Sequence, residues 1–183
     1  MERNEALSLL EEHVKTANIK KHCLAVAAIM EKLAEKLGED KEIWWLTGIL
    51  HDIDYEKTAT CIEKHGLETA KMLEGKVDEK ILHAIKAHNG INTGAAPRET
   101  MDIALLCSDS LSGLIISTAL IMPSKKISEV SIESLKKKFK KKDFARTVSR
   151  EKIMTCQRLN LSQEDFFAIG IEALNGISGD LGL

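Results

Sequence analysis

Apolar residues recur every three to four positions along most of the chain, the spacing of helices that each bury one face. Leu7, Leu10 and Val14 mark a first helix over about 4–15. Ile19, Cys23, Val26, Ala27, Met30, Leu33, Ala34 and Leu37 form a longer stripe, with Asn18 as its expected N-cap and Gly38 as its terminator. A third helix is expected from Asp40 to His51–Asp52, a fourth over 65–74 before Gly75, and a fifth from Asp78 to His88. The stretch 53–60 reads as a loop or a short turn, and 89–97 as a loop. A long apolar helix over 99–121 stops before Pro123, and helices over 132–138, 146–159 and 163–177 follow. No segment alternates apolar and polar residues, so no sheet is expected. The predicted fold is all-α, a single-domain helical bundle over 1–183, with a core at 18–121 and a C-terminal extension at 122–183 packed on it.

Several polar residues fall on the faces that must turn inward. At about 100° per residue, His22 lies within the stripe of Ile19, Val26, Ile29 and Leu33. His88 lines up with Ile81, Ala84 and Ile85, and Asp109 continues the stripe of Leu105 and Leu106. His51 and Asp52 end the apolar run TGIL and belong at the edge of the core. A buried carboxylate needs a cation, and a buried imidazole needs a hydrogen-bond partner or a metal. One such histidine alone reads best as a satisfied core residue; several from separate helices read as a metal site. His83, between Lys80 and Lys86, falls on the opposite side of its helix and is expected to face solvent, and His13 only flanks its stripe.

Composition narrows the setting. A chain of 183 residues with 44% hydrophobic positions can close one core, and two prolines leave helices uninterrupted. No run of about 18 apolar residues suggests a membrane span, and the charged N-terminus reads as helix, not as a signal peptide. The four cysteines form no C-x-x-C pair, and Cys23 and Cys107 read as small core residues, so a cytoplasmic location is expected. Net charge is −2, yet 125–152 carries eleven Lys or Arg against four acids, +7, which leaves −9 elsewhere. That stretch reads either as a solvated face or as a surface for a phosphorylated substrate. Because Phe139, Phe144, Ile153, Leu159, Phe166 and Phe167 need burial, the tail must fold back, which makes Lys126, Arg146 and Arg150 candidate substrate-binding residues. With aromatics at 4%, a base-stacking nucleic-acid platform is not expected.

The order His22, His51–Asp52, His65, His88, Asp109, with HCLAVAAIMEKLAEKLG before the pair and WLTGILHDIDYEK around it, resembles the HD-domain superfamily of metal-dependent phosphohydrolases. His22, His51, Asp52 and Asp109 match the minimal family pattern. His65 in KHGLETA and His88 in AIKAHN resemble the extra histidines of dinuclear members, over about 20–120. The chain lacks the Gly-Tyr-Pro signature of the cyclic di-nucleotide phosphodiesterases, having HNGINTGAAP instead, and lacks the Glu-Asp pair of the alarmone hydrolases. The resemblance implies one or two divalent transition metals, Fe, Mn, Co, Ni or Zn, with Mg less suited to so many nitrogens. It implies hydrolysis, by metal-activated water, of a phosphoester or phosphoanhydride in a small phosphorylated molecule such as a nucleotide. Asp52 would bridge two ions, and Asp54, or failing it Glu56 or Lys57, would protonate the leaving oxygen. Two rival readings share the residues: a non-catalytic module that senses a nucleotide or partner protein, and an HD-type di-iron oxygenase.

Overall fold

The computed structural model describes residues 1–183 and holds twelve α-helical segments and no strand. They are α1 (Arg3–His13), α2 (Ala17–Leu37), α3 (Lys41–Leu50), α4 (Tyr55–Thr58), α5 (Leu67–Leu73), α6 (Glu79–His88), α7 (Gly90–Thr93), α8 (Thr100–Leu120), α9 (Ile132–Lys140), α10 (Arg150–Met154), α11 (Gln163–Gly176) and α12 (Ser178–Leu181). Short 3-10 turns lie at Ile62–Lys64, Ile127–Glu129 and Thr155–Leu159.

Capping chemistry sets most boundaries. Asp40 accepts from the amides of Glu42 and Ile43, Asp78 from Lys80, Ser149 from Lys152 and Ser162 from Asp165. Gly38 closes α2 at φ 74°, a left-handed conformation that costs glycine nothing. Three expectations are corrected. Asn18 is not the cap of α2, which begins one residue earlier behind Thr16; the amides of Lys15 and Thr16 donate to Glu56, 41 and 40 positions away. The expected 89–97 loop contains the single turn α7. The helix expected over 146–159 begins only at Arg150 and tightens into a 3-10 turn at Thr155, because Ala145, at φ 45°, breaks the path before it.

The core forms where α2, α3 and α8 meet, with α6 packed on α3 and α8. Gly48 decides how close α2 and α3 come. A Cβ there would lie 2.6 Å from the Ala27 Cα, so only glycine permits this backbone contact. The same contact lets the C-terminal end of α3, with His51 and Asp52, reach His22 near the start of α2. α8 is long and apolar enough to cross a membrane by length and composition, but most of it is buried against its neighbours, and it carries Asp102 and Asp109. The 122–183 segment returns over α2 and α8 through α9, α10 and α11. Phe166 and Phe167 are wholly buried, each a gain of roughly 1.5–3 kcal/mol. α11 approaches α8 at Gly170, where an added Cβ would meet Leu111 Cδ2 at 2.7 Å. Phe139 and Phe144 are only half-buried against this core.

Candidate metal centre

The ends of α2, α3 and α6, the middle of α8 and the turn before α5 meet at one spot, and four imidazoles meet there with them. Asp52 stands at the middle. Its Oδ1 lies 3.3 Å from His51 Nε2, 3.2 Å from His65 Nε2 and 3.5 Å from His88 Nε2, while its Oδ2 lies 3.7 Å from His22 Nε2. Two groups share Asp52: His22, His51 and Asp52, and Asp52, His65 and His88, each with ligand atoms within 4.8 Å of one another. Asp109 Oδ1 meets the first group through His22 Nε2 at 3.2 Å and joins neither group at that spacing.

In each imidazole the other nitrogen is already engaged. His51 Nδ1 pairs with the Gly48 carbonyl at 2.7 Å and His88 Nδ1 with the Ile85 carbonyl, both one turn back in their own helices. His65 Nδ1 pairs with Asp54 Oδ1 at 2.8 Å. Ser112 Oγ donates to the Asp109 carbonyl at 2.8 Å, so toward His22 Nδ1, 3.2 Å away, it acts as acceptor. Each Nδ1 therefore carries its proton outward, and an Nε2 lone pair is left facing the centre in every neutral ring.

This arrangement fits a divalent metal. His51 Nε2 is buried without a hydrogen-bond partner, a loss of about 1–3 kcal/mol that a cation removes. The Nε2 atoms of His65 and His88 lie 3.0 Å apart, close enough for both to reach one ion. The donor set of imidazoles and carboxylates suits a transition ion. Charge within the cluster is strongly polarised. Burial depresses His51 to a pKa of about 4. Burial also acts to lower His65, but the Asp52 and Asp54 carboxylates overcome it and hold His65 at about 10. Burial would raise Asp109, yet its bond to His22 brings it down to about 2. Asp52 is held well below the carboxylate range, its desolvation outweighed by the surrounding histidines.

The other candidate residues fare differently. Asp54 does not stand free to protonate a leaving group: it has no exposed surface, and its Oδ2 accepts from the amides of Gly66 and Thr69 while Oδ1 holds His65. It orients a ligand, which explains its position two residues past Asp52. Glu56 is taken by the α2 cap, and Lys57 pairs with Glu68 at 2.7 Å. Arg150 lines the basic hollow beside the metal centre, but its side chain is already engaged. Its guanidinium donates to the carbonyls of Phe139, Lys141, Phe144, Ala145 and Val148, holding the turn between α9 and α10. Lys126 is exposed ahead of a 3-10 turn and lines none of the larger hollows. Arg146 is 79% exposed and lines a basic hollow with Lys140 and Lys142 that adjoins the metal centre's own hollow at Val148 and Ser149. His83 does not face solvent: its Nδ1 is buried 3.0 Å from Asp102 Oδ2.

The hollow over the cluster has a volume of about 370 Å³ and is lined by His22, Asp52, Asp109, Tyr55, Ser110, Thr147, Ser149 and Lys152. Lys152 is its one cationic side chain, and reasoning from sequence passed over it. Nothing in the run of basic residues marks it apart; only the seating of α10 on α8 brings it to the site.

The HD domain family is matched over residues 19–133, a span that contains all six histidines and aspartates of the cluster and ends before Lys152. Ribonuclease Y of Staphylococcus epidermidis is 35% identical over 101 residues, covering 52% of this chain and 18% of that protein. Ribonuclease Y of Lawsonia intracellularis is 33% identical over 101 residues, covering 54% and 19%. The chain thus spans less than a fifth of the length of these relatives. No solved structure matches it. With the family matched over more than half of its length on an all-α fold, this chain belongs to the HD domain family.

Proposed function

We propose that the chain hydrolyses a phosphoester or phosphoanhydride of a small phosphorylated molecule. The observation that carries the reading is the set of four engaged Nδ1 atoms, which leaves four Nε2 atoms turned toward Asp52 at the floor of an open hollow. His22, His51, Asp52 and Asp109 would hold one divalent transition ion and Asp52, His65 and His88 a second, and such ions supply Lewis acidity and water activation near neutral pH. Ser112, the Gly48 and Ile85 carbonyls and Asp54 keep the ligating rings in place. Lys152 offers positive charge to a phosphoryl group entering the hollow, and the hydroxyls of Ser110, Thr147 and Ser149 line the same space. No side-chain nucleophile is required, since Cys23 and Cys107 are buried with their thiols held protonated by burial.

A second substrate class has its own support. The relatives matched over about half of the chain bear the name ribonuclease, and the hollow beside the centre is lined by Lys140, Lys142 and Arg146. An RNA phosphodiester therefore stands beside small nucleotides.

The test is elemental analysis of protein purified without chelator, then phosphate release from nucleotides and cleavage of short RNA with added Mn, Fe, Co, Ni or Zn. Hydrolysis that vanishes with chelator and returns with metal is expected. Metal-loaded protein that cleaves no phosphoester would overturn the reading in favour of a sensing module, and turnover that consumes dioxygen would favour an oxygenase.

A further inference from the structure

A second hollow lies against the metal centre, and its chemistry is the opposite of the first. It has a volume of about 440 Å³, within the range of about 300–1,000 Å³ typical of small-ligand sites. Ala87, Ala95, Ala96, Pro97 and Leu106 give it aliphatic walls. His88, whose Nε2 belongs to the His–Asp cluster, is also among its lining residues. The two hollows share one lining residue, Lys152.

The placement of Lys152 is fixed from both sides. Ile153 beside it is wholly buried, and Ser149 Oγ caps its amide. Its ammonium donates to the His88 carbonyl at 3.0 Å. An ammonium has three donors, so two remain for a ligand at the boundary between the hollows. A polar hollow over the cluster, a cation at the boundary and an aliphatic hollow beyond describe a ligand with an anionic group at one end and a flat, weakly polar group at the other.

Resting on the phosphohydrolase reading, we infer that the 440 Å³ hollow is a nucleobase subsite and that Lys152 is the positioning residue that registers a nucleoside phosphate between it and the metal centre. A heterocycle enters between the Leu106 and Pro97 sides, while the phosphoryl group meets Lys152 and the polar hollow. The charge of Lys152 complements the phosphate, and its bond to the His88 carbonyl ties its position to the helix that supplies a ligand. Lys152 lies outside the family match, so this device belongs to the chain's own C-terminal segment.

The inference is tested by calorimetry on the full, metal-loaded chain. The probes are ribose 5-phosphate and the methylene phosphonate analogue of adenosine 5′-phosphate, whose P–C bond resists hydrolysis. The analogue should bind at least about tenfold tighter than ribose 5-phosphate, as burial of its apolar ring requires. Ala96→Trp, a filling change at an exposed loop position, should erase that preference while ribose 5-phosphate affinity and metal content stay unchanged. Lys152→Gln should weaken both probes about tenfold, and Lys152→Arg should restore most of the loss, as charge at that point demands. Equal affinity for the two probes in the wild type, or a preference that survives Ala96→Trp, would overturn the subsite. Lys152→Gln without effect on either probe would overturn the role of the lysine. Failure of the underlying reading looks different: the binding preference stands, but no phosphoester is cleaved.

Discussion

His22 and Asp109, with side chains 22% and 24% exposed, line an open hollow, whereas His65 and His88, at 8% and 4%, are sealed, though both pairs converge on Asp52. The supports differ as well. On the open side they are neutral, the Gly48 carbonyl and the Ser112 hydroxyl. On the closed side His65 leans on the carboxylate of Asp54. An anionic support makes an imidazole a stronger base, which improves it as a ligand and also lets it hold a proton more firmly. His51, depressed to about 4, is neutral at neutral pH and ready to bind, while His65, held at about 10, must first release a proton. Loaded with metal, the side of His22 and Asp109 would therefore be expected to exchange its ion more readily, and the side of His65 and His88 to retain it, although His51 is itself sealed and His88 also rests on a neutral carbonyl, that of Ile85.

The comparison turns on Asp52, the one residue both halves share. Asp52→Ala should remove nearly all bound metal and lower activity by more than the roughly 10–100-fold that loss of a supporting residue costs. His22→Ala and His65→Ala should each remove about one equivalent, and the equivalent left in His22→Ala should resist chelator longer than the one left in His65→Ala. Metal analysis with timed chelation decides this. If Asp52→Ala keeps a full complement, the two groups do not share a bridge. Equal chelation rates in the two single variants would erase the difference between the halves.

Next in size is Asp54→Asn. The amide can still accept from a backbone N–H, so the turn at Gly66 should survive, but His65 loses its anionic partner. Metal affinity in the closed half should fall about 10–100-fold with the open half unaffected. The pH profile of kcat on the metal-saturated variant separates this from proton donation: an orienting Asp54 leaves the limb for the acid in place, and loss of that limb would restore the donor role.

Of the six clustered residues, His22, His88 and Asp109 were legible because helical periodicity points them inward, and periodicity is a local property; His51 and Asp52 followed from the end of an apolar run, while His65, extended ahead of α5, was named only by the family resemblance. Asp54 lies in a turn with no period, and its partners at Gly66 and Thr69 are twelve and fifteen positions away, so only tertiary structure shows that its carboxylate is engaged by His65 and two backbone amides. Lys152 and Arg150 are two residues apart in one basic run, yet one lines the site and the other holds five carbonyls, a difference set by where α10 lands. Glu56 accepting from Thr16, the residue that holds the cap position expected at Asn18, across 40 positions has no sequence signal at all.

Metal-free protein should show the two halves as two limbs of a stability curve. His65 has a raised folded pKa, so its contribution is complete below its unfolded value of about 6.5 and is lost as pH rises through about 10. His51 has a depressed one, so the unfolded chain takes up the proton first and stability falls as pH drops from about 6.5 toward 4. Asp109 adds a loss as pH falls from about 3.9 through about 2. Thermal melting without metal should therefore peak near pH 6.5, and the alkaline decline should shrink in His65→Gln. An alkaline limb identical in wild type and His65→Gln would show that the closed half does not carry that proton.

The smallest effect is expected at the pair that most resembles the closed half. His83 Nδ1 lies 3.0 Å from the buried Asp102, much as His65 lies 2.8 Å from Asp54. Asp102 Oδ2 also accepts from the amides of Arg98 and Glu99, so this carboxylate closes the start of α8 and stays partly satisfied without the histidine. No second imidazole or carboxylate faces His83 as Asp52 and His88 face His65, and neither metal group includes it. A histidine backed by a buried aspartate is therefore only half of a ligand position; the other half is what its second nitrogen meets. His83→Gln should cost no more than about 1–3 kcal/mol in stability, through the lost contact to Asp102 Oδ2, which keeps its two amide donors, with metal content and kcat unchanged. Loss of metal in His83→Gln would mean that the two pairs are coupled through α6, the helix that carries both His83 and His88.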